Sequence, residues 1–164
     1  MRRSPPLMAG LAALLFMQAA AHAACPVELA TYRDRDDVAS VEFQPTMQGA
    51  ATTNTFRMIL GGSIFDGIVM WTDVEPRPYA LVTYKCPDGD LTGDEIRACT
   101  VWEGAVYAID AGGAVDLLPR EGKPAPAKLV FAGLGPGVHQ APAFAAAHLA
   151  KAPWDVFEMS GCQE

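Results

Sequence analysis

The segment NTFRMILGGSIFDGIVMW, from Asn54 to Trp71, limits the possible folds more than any other stretch of this chain. Gly61-Gly62 separates two runs of alternating polarity, and a glycine pair supplies the positive φ values that a two-residue hairpin turn requires. Such a turn sets Leu60 opposite Ser63, Met58 opposite Phe65 and Arg57 opposite Asp66. Because side chains alternate along a strand, Phe56, Met58, Leu60, Phe65, Val69 and Trp71 then share one face, which is the expected core. Thr55, Arg57, Ile59, Ile64, Asp66 and Ile68 share the other. A solvated Arg57–Asp66 pair contributes only a few tenths of a kcal/mol and serves to set register.

Similar patterns extend the β reading in both directions. Val27 to Arg33 and Val38 to Gln44 are short apolar runs separated by the charged turn DRDD, and an irregular loop spans Pro45 to Thr53. Tyr79 to Lys85 places Ala80, Val82 and Tyr84 on one face, and Cys99 to Trp102 follows. A second hairpin is centred on Gly112-Gly113. The Pro-rich REGKPAPAK, Arg120 to Lys128, is a surface connector too short to link domains. After the strand KLVFAG, the Ala-rich stretch from Pro142 to Lys151 predicts a helix that starts at proline and presents Phe144 and Leu149 to the sheet. PWDVFEMSGC adds a final short strand. The expected class is α+β, mainly antiparallel: a meander sheet of about six to eight strands with one C-terminal helix packed on it. The alternative is a small β-barrel.

The start of the chain reads as an export leader. Arg2 and Arg3 precede the apolar run Leu7 to Met17, and Ala21-His22-Ala23 has the small-x-small form that signal peptidase cuts after. The apolar run has 11 residues, well short of the roughly 20 that cross a bilayer as a helix, so no stable membrane span is expected. A lipoprotein anchored through Cys25 is disfavoured because His22 stands where a lipobox carries leucine. Residues 1–23 are thus the signal peptide, and 24–164 form a single exported β-rich domain, periplasmic or secreted. Loss of Arg2 and Arg3 takes the formal charge from −7 to −9. That balance argues against nucleic acid as a partner, since a basic surface is needed to displace counterions.

Four cysteines follow the leader, and an even count in an oxidising compartment predicts two disulfides. The favoured pairing is Cys86 with Cys99 and Cys25 with Cys162. Loop-closure arithmetic gives about 3 kcal/mol for the short loop and about 5 kcal/mol for the long one. No CxxC pair or zinc knuckle is present.

The remaining question is chemistry. The run from Gly133 to Gly137 sits where a phosphate-binding loop would, but the Walker Lys-Ser/Thr is absent and Pro136 removes an N–H donor. Of the two histidines beyond the leader, His139 is the better candidate for a catalytic base and His148 reads as a surface residue. A carboxylate pair of glycosidase type is a spatial relation that sequence does not display. Trp71, Trp102 and Trp154 are expected in the core, and an exposed one would point instead to a binding groove.

Asp88, Asp90 and Asp94 lie in KCPDGDLTGDEIRAC and match the first half of a calcium loop. The second half fails, because Cys99 replaces the bidentate glutamate. The same letters spell a capping box, Thr92-Gly93-Asp94-Glu95, which predicts a short helix leading to Cys99. The functional expectation is an exported, disulfide-stabilised, non-catalytic module that binds a protein partner or a small ligand, acting for example as an inhibitor, with no cofactor. The alternatives are a calcium-stabilised protein using Asp88, Asp90 and Asp94, and a small hydrolase using His139 or a carboxylate pair.

Overall fold

The computed structural model describes residues 24–46, 51–71 and 76–164. The leader, residues 1–23, lies outside the described residues, as does part of the loop expected between Pro45 and Thr53. A 3-10 turn at Val27–Leu29 leads into β1 (Ala30–Asp34), β2 (Ala39–Gln44), β3 (Thr52–Leu60), β4 (Ser63–Trp71) and β5 (Pro78–Thr83). Helix α1 (Gly93–Cys99) precedes β6 (Thr100–Ile109), β7 (Val115–Leu117) and β8 (Lys128–Phe131). Helices α2 (Leu134–Gln140) and α3 (Pro142–Ala146) come before β9 (Val156–Cys162).

Each strand from β1 to β6 pairs antiparallel with the next, β6 pairs with β8, β8 with β9, and β9 returns to β1. The expected meander therefore closes into an eight-stranded barrel, with β7 added to β6 beyond the end of β5. The sheet has the antiparallel, mainly β character read from the sequence and takes the barrel form of that reading.

The hairpin register is as the glycine pair dictates: Leu60 faces Ser63, Met58 faces Phe65 and Arg57 faces Asp66. Phe56, Met58, Leu60, Phe65 and Val69 are buried inside the barrel, with Ala80 and Val82 beside them. Two bulges sit near the closure. Thr31 faces Gly161 while Tyr32 faces Met159, so Ser160 is an extra residue in β9. Val82 faces Trp102 while Thr83 faces Thr100, so Val101 is an extra residue in β6. Bulges of this kind raise local twist and help a sheet curl shut.

Rings fill the interior. Phe56 lies across Gly67, its cross-strand partner, where a Cβ would overlap the ring. Trp102 likewise lies over Gly104 and against Gly137 of α2, whose Cβ position would be 2.7 Å from the indole. Outward positions carry Arg33, Glu42, Arg57, Asp66 and Glu103, all exposed or half-buried. That is the reverse of a barrel facing lipid. Among the described residues no helix is long and apolar enough to cross a membrane.

The β8–β9 connection covers one barrel end. Leu134 and Val138 of α2 are buried, and Leu149 reaches across to the Gly61 turn, its Cδ2 3.2 Å from where a Cβ on Gly61 would sit. The predicted helix from Pro142 to Lys151 is shorter, because the chain turns at His148 (φ 53°). There the His148 N–H donates to Ala145 O and the Leu149 N–H to Phe144 O, a Schellman closure that swings Leu149 into the core. The opposite end is sealed by Val27 and Leu118, with Asn54 Nδ2 donating to Pro119 O at 3.2 Å and Tyr32 Oη to Pro126 O at 3.0 Å. Disulfides join Cys25 to Cys162 and Cys86 to Cys99, the pairing favoured from spacing.

Gly67→Ala is expected to lower stability by about 1–3 kcal/mol, because the added methyl must displace the Phe56 ring in a packed interior. Urea unfolding checks this, and an unchanged midpoint would mean the ring has room to move.

Candidate functional site

The end of β1 begins the site. Asp34 is only 3% exposed, and its Oδ1 accepts the N–H groups of Val38 at 2.7 Å and Ala39 at 3.0 Å. This is the local hydrogen bonding for which Asp is favoured in turns, and it closes the DRDD corner between β1 and β2. Its other oxygen accepts the N–H of Trp154 at 3.3 Å, 120 residues along the chain.

Trp154 is fixed again through its side chain. The indole Nε1–H donates to Asp36 Oδ2 at 2.6 Å, and Lys151 Nζ donates to the same oxygen at 2.6 Å. The Arg35 guanidinium lies 3.5 Å from the ring centroid in a cation–π stack. One turn thus supplies three consecutive side chains, Asp34, Arg35 and Asp36, to hold one tryptophan. Even so, Trp154 is 42% exposed.

The next residue is pinned from the other side. The Asp155 carboxylate accepts the N–H of Gly133 at 2.7 Å and of Gly135 at 2.9 Å, and its carbonyl accepts the Phe131 N–H at 2.8 Å. Two donors of the Gly-rich turn are therefore engaged by a carboxylate of the protein itself, which counts against the phosphate-loop comparison. Gly135 also approaches Pro153 O so closely that a Cβ there would come within 2.6 Å. Between Gly135, Pro136 and the Lys151–Val156 segment lies an open, mostly apolar hollow of about 410 Å³. Val156, 39% exposed, continues its apolar wall.

Lys151, through its hydrogen bond and then the indole N–H of Trp154, holds the Asp36 carboxyl below the usual carboxylate range. The charged form of Asp36 is what ties Lys151 and Trp154 together. An exposed Trp flanked by two cations and an apolar hollow can grip a macromolecular surface, since the indole offers a large rigid area at small entropic cost.

The residues singled out from sequence lie elsewhere. Asp88 and Asp90 are exposed in the β5–α1 loop, and Asp94 pairs with Arg97 on α1. The capping box is formed as read: Glu95 N–H donates to Thr92 Oγ1 at 3.3 Å, and Glu95 Oε2 accepts the Thr92 N–H at 2.9 Å. Among the described residues no group of three or more His, Cys, Asp or Glu side chains is placed to hold a metal ion. His139 is exposed on α2 with its ring edge-on to Phe144 at 4.9 Å. Trp102 is in the core as expected, whereas Trp71 is half-buried beneath Arg120. Trp154 departs from the core expectation because partners 118 and 120 positions away hold it at the rim, and no local pattern carries that information.

No protein-family model matches the chain, and no curated protein or solved structure does either.

A carboxylate held low in the folded state keeps its contribution above its unfolded pKa and loses it only as pH falls through the folded value. The indole N–H resonance of Trp154, identified by its loss in Trp154→Phe, is therefore expected to stay in place as pH falls through about 4 and to move only below that. Movement at or above that pH would show that the Asp36 carboxyl is not held low, and no movement at any lower pH would show that the clamp does not depend on its charge. For the acidic loop, the melting temperature is expected to be the same in EDTA and in millimolar calcium, for wild type and for Asp90→Ala. A calcium-dependent rise of several degrees in wild type alone would place an ion there.

Proposed function

We propose that this protein is an exported, disulfide-stabilised binding module that docks on another protein through the surface centred on Trp154. The observation that carries this reading is an exposed tryptophan immobilised by Asp36 and Arg35 beside an apolar hollow. A large aromatic left in water costs free energy in the isolated protein, and clamping it in one orientation gives no gain in core burial. The arrangement makes sense where a partner completes the burial. Preorganisation then lowers the entropy lost on binding.

The two disulfides fit an oxidising compartment, and the leader read over residues 1–23 makes that the periplasm or the exterior of the cell. The filled barrel interior supports a surface rather than an internal ligand site, because Tyr32, Phe43, Phe56, Phe65, Phe131 and Phe157 occupy the space a carrier would leave open. A protein partner suits the mix of apolar area and paired charge better than a polyanion, given the acidic balance of the chain.

Affinity capture with wild-type and Trp154→Ala baits tests this. A protein retained in stoichiometric amount by wild type should bind the variant about 30-fold more weakly or worse, matching a hot-spot loss of about 2 kcal/mol. The variant's melting temperature should change little, since the side chain it loses is at the rim. A partner that binds both baits equally would move the contact surface elsewhere.

A further inference from the structure

We propose that the Cys86–Cys99 disulfide is a detachable staple, which a dithiol reductant opens to free residues 85–98 while the barrel stays closed. The two disulfides close very different structures. Cys162 faces Ala30 in the β1–β9 ladder, the Gln163 N–H donates to Leu29 O at 2.7 Å, and the Ala125 N–H donates to Cys25 O at 2.8 Å. These backbone bonds keep Cys25 and Cys162 side by side whether or not sulfur joins them. Their effective concentration as free thiols is high, so that bond resists reduction.

The loop between Cys86 and Cys99 has such support at its base, where Thr83 faces Thr100, and little along its length. Helix α1 buries none of its residues. Its capping box, the surface pair of Asp94 with Arg97, and the Thr100 Oγ1 bond to Ile96 O at 2.7 Å are what hold it. A seven-residue helix is well below the about 12–15 residues that persist alone in water. The chain also enters the loop through Lys85 at φ 52°, a left-handed conformation that a non-glycine residue adopts at some cost. The barrel sets the boundary of what can loosen. Tyr84 stacks on buried Phe65, ring centroids 4.5 Å apart, and its N–H donates to Cys99 O at 2.9 Å. Beyond Tyr84 the loop is tied down chiefly by sulfur.

Access does not separate the two disulfides, since Cys25, Cys86 and Cys99 are half-buried and Cys162 is exposed, so the difference rests on how the chain around each bond is held. A thiolate of the dithiol attacks one sulfur, the Cys86–Cys99 bond breaks, and the other sulfur leaves as a thiolate. The second thiol of the reductant then attacks the mixed disulfide. Two electrons and the two thiol protons end on Cys86 and Cys99, and the reductant ends as its own disulfide. The rim then changes in two ways. Asp88, Asp90, Asp94 and Glu95 are set loose, and the hollow of about 260 Å³ between the loop's base and α3 loses the part of its wall made by Lys85 and Ala98. The staple acts in this way whatever Trp154 binds.

The mature, oxidised protein is titrated with dithiothreitol, quenched with iodoacetamide and mapped by peptide mass, with amide hydrogen exchange measured at each step. Cys86 and Cys99 should be alkylated at about tenfold lower reductant ratio than Cys25 and Cys162, equivalent to about 30 mV. Protection at Gly93–Cys99 should vanish in that step, while Val82 and Phe131 stay protected. Alkylation of all four cysteines together, or of Cys25 and Cys162 first, would overturn the proposal. So would persistent protection of α1 after reduction. The Cys86→Ser, Cys99→Ser double variant should show the same loosened loop on a folded barrel without reductant, and a variant that fails to fold would show that the barrel needs the bond.

Discussion

Phe131 touches three other rings, Phe56, Trp102 and Phe157, at centroid distances of 5.4 to 5.8 Å, and the chain of contacts runs on through Phe43 to Tyr32. These rings come from β1, β2, β3, β6, β8 and β9, so they meet only when the sheet has closed. An eight-stranded barrel is just wide enough for side chains to fill it. Glycine appears where the rings need room, at Gly67 beneath Phe56 and at Gly104 beneath Trp102. The buried polar side chains among the described residues, Asp34 and Asn54, lie towards the two barrel ends, where they hold covering segments in place. Closure, the aromatic fill and the two caps thus form one mechanical system.

Much of this was legible locally. The alternation about Gly61-Gly62 set register and face across β3 and β4, and the capping box located α1, because each depends on residues within one turn or one strand pair. Closure was not legible in the same way. The β1–β9 and β5–β6 pairings obey the same alternation as an open sheet, so the pattern is equally consistent with both forms, and bulges at Ser160 and Val101 leave no distinct mark in the letters. The Ala-rich stretch read as one helix is cut at His148 by a residue type that adopts left-handed φ only when a closure such as this one favours it. The site was the least visible part. Trp154 sits on a Pro-Trp-Asp segment whose exposure is decided by a turn near the other end of the chain, and periodicity says nothing about such a contact.

The same barrel end carries two segments of opposite character. The Lys151–Asp155 segment is pinned at Lys151, Trp154 and Asp155 by Asp36, Asp34 and the N–H groups of Gly133 and Gly135. The loop from Lys85 to Ala98 has a helix with no buried face and depends on one disulfide. Local stability follows buried contact and protected hydrogen bonds, so these segments stand at different heights on the scale of local opening. One rim of the barrel thus carries a firmly held segment and a loop that depends on its disulfide.

The filled interior gives that difference its meaning. An eight-stranded barrel is either filled by its own side chains or holds one small ligand, and here Phe43, Phe56, Met58, Phe65, Phe131 and Phe157 close the lumen and both ends are covered. On the outer surface, regular strands present flat faces whose charges are largely solvated. Only the connections can build relief. Of these, the β8–β9 connection is the one that crosses the mouth, turns back through α2 and α3, and returns an exposed indole to the β1–β2 corner. The core has no use for that indole, and three consecutive side chains of a charged turn are committed to holding it still. Its orientation is therefore a property of the free protein.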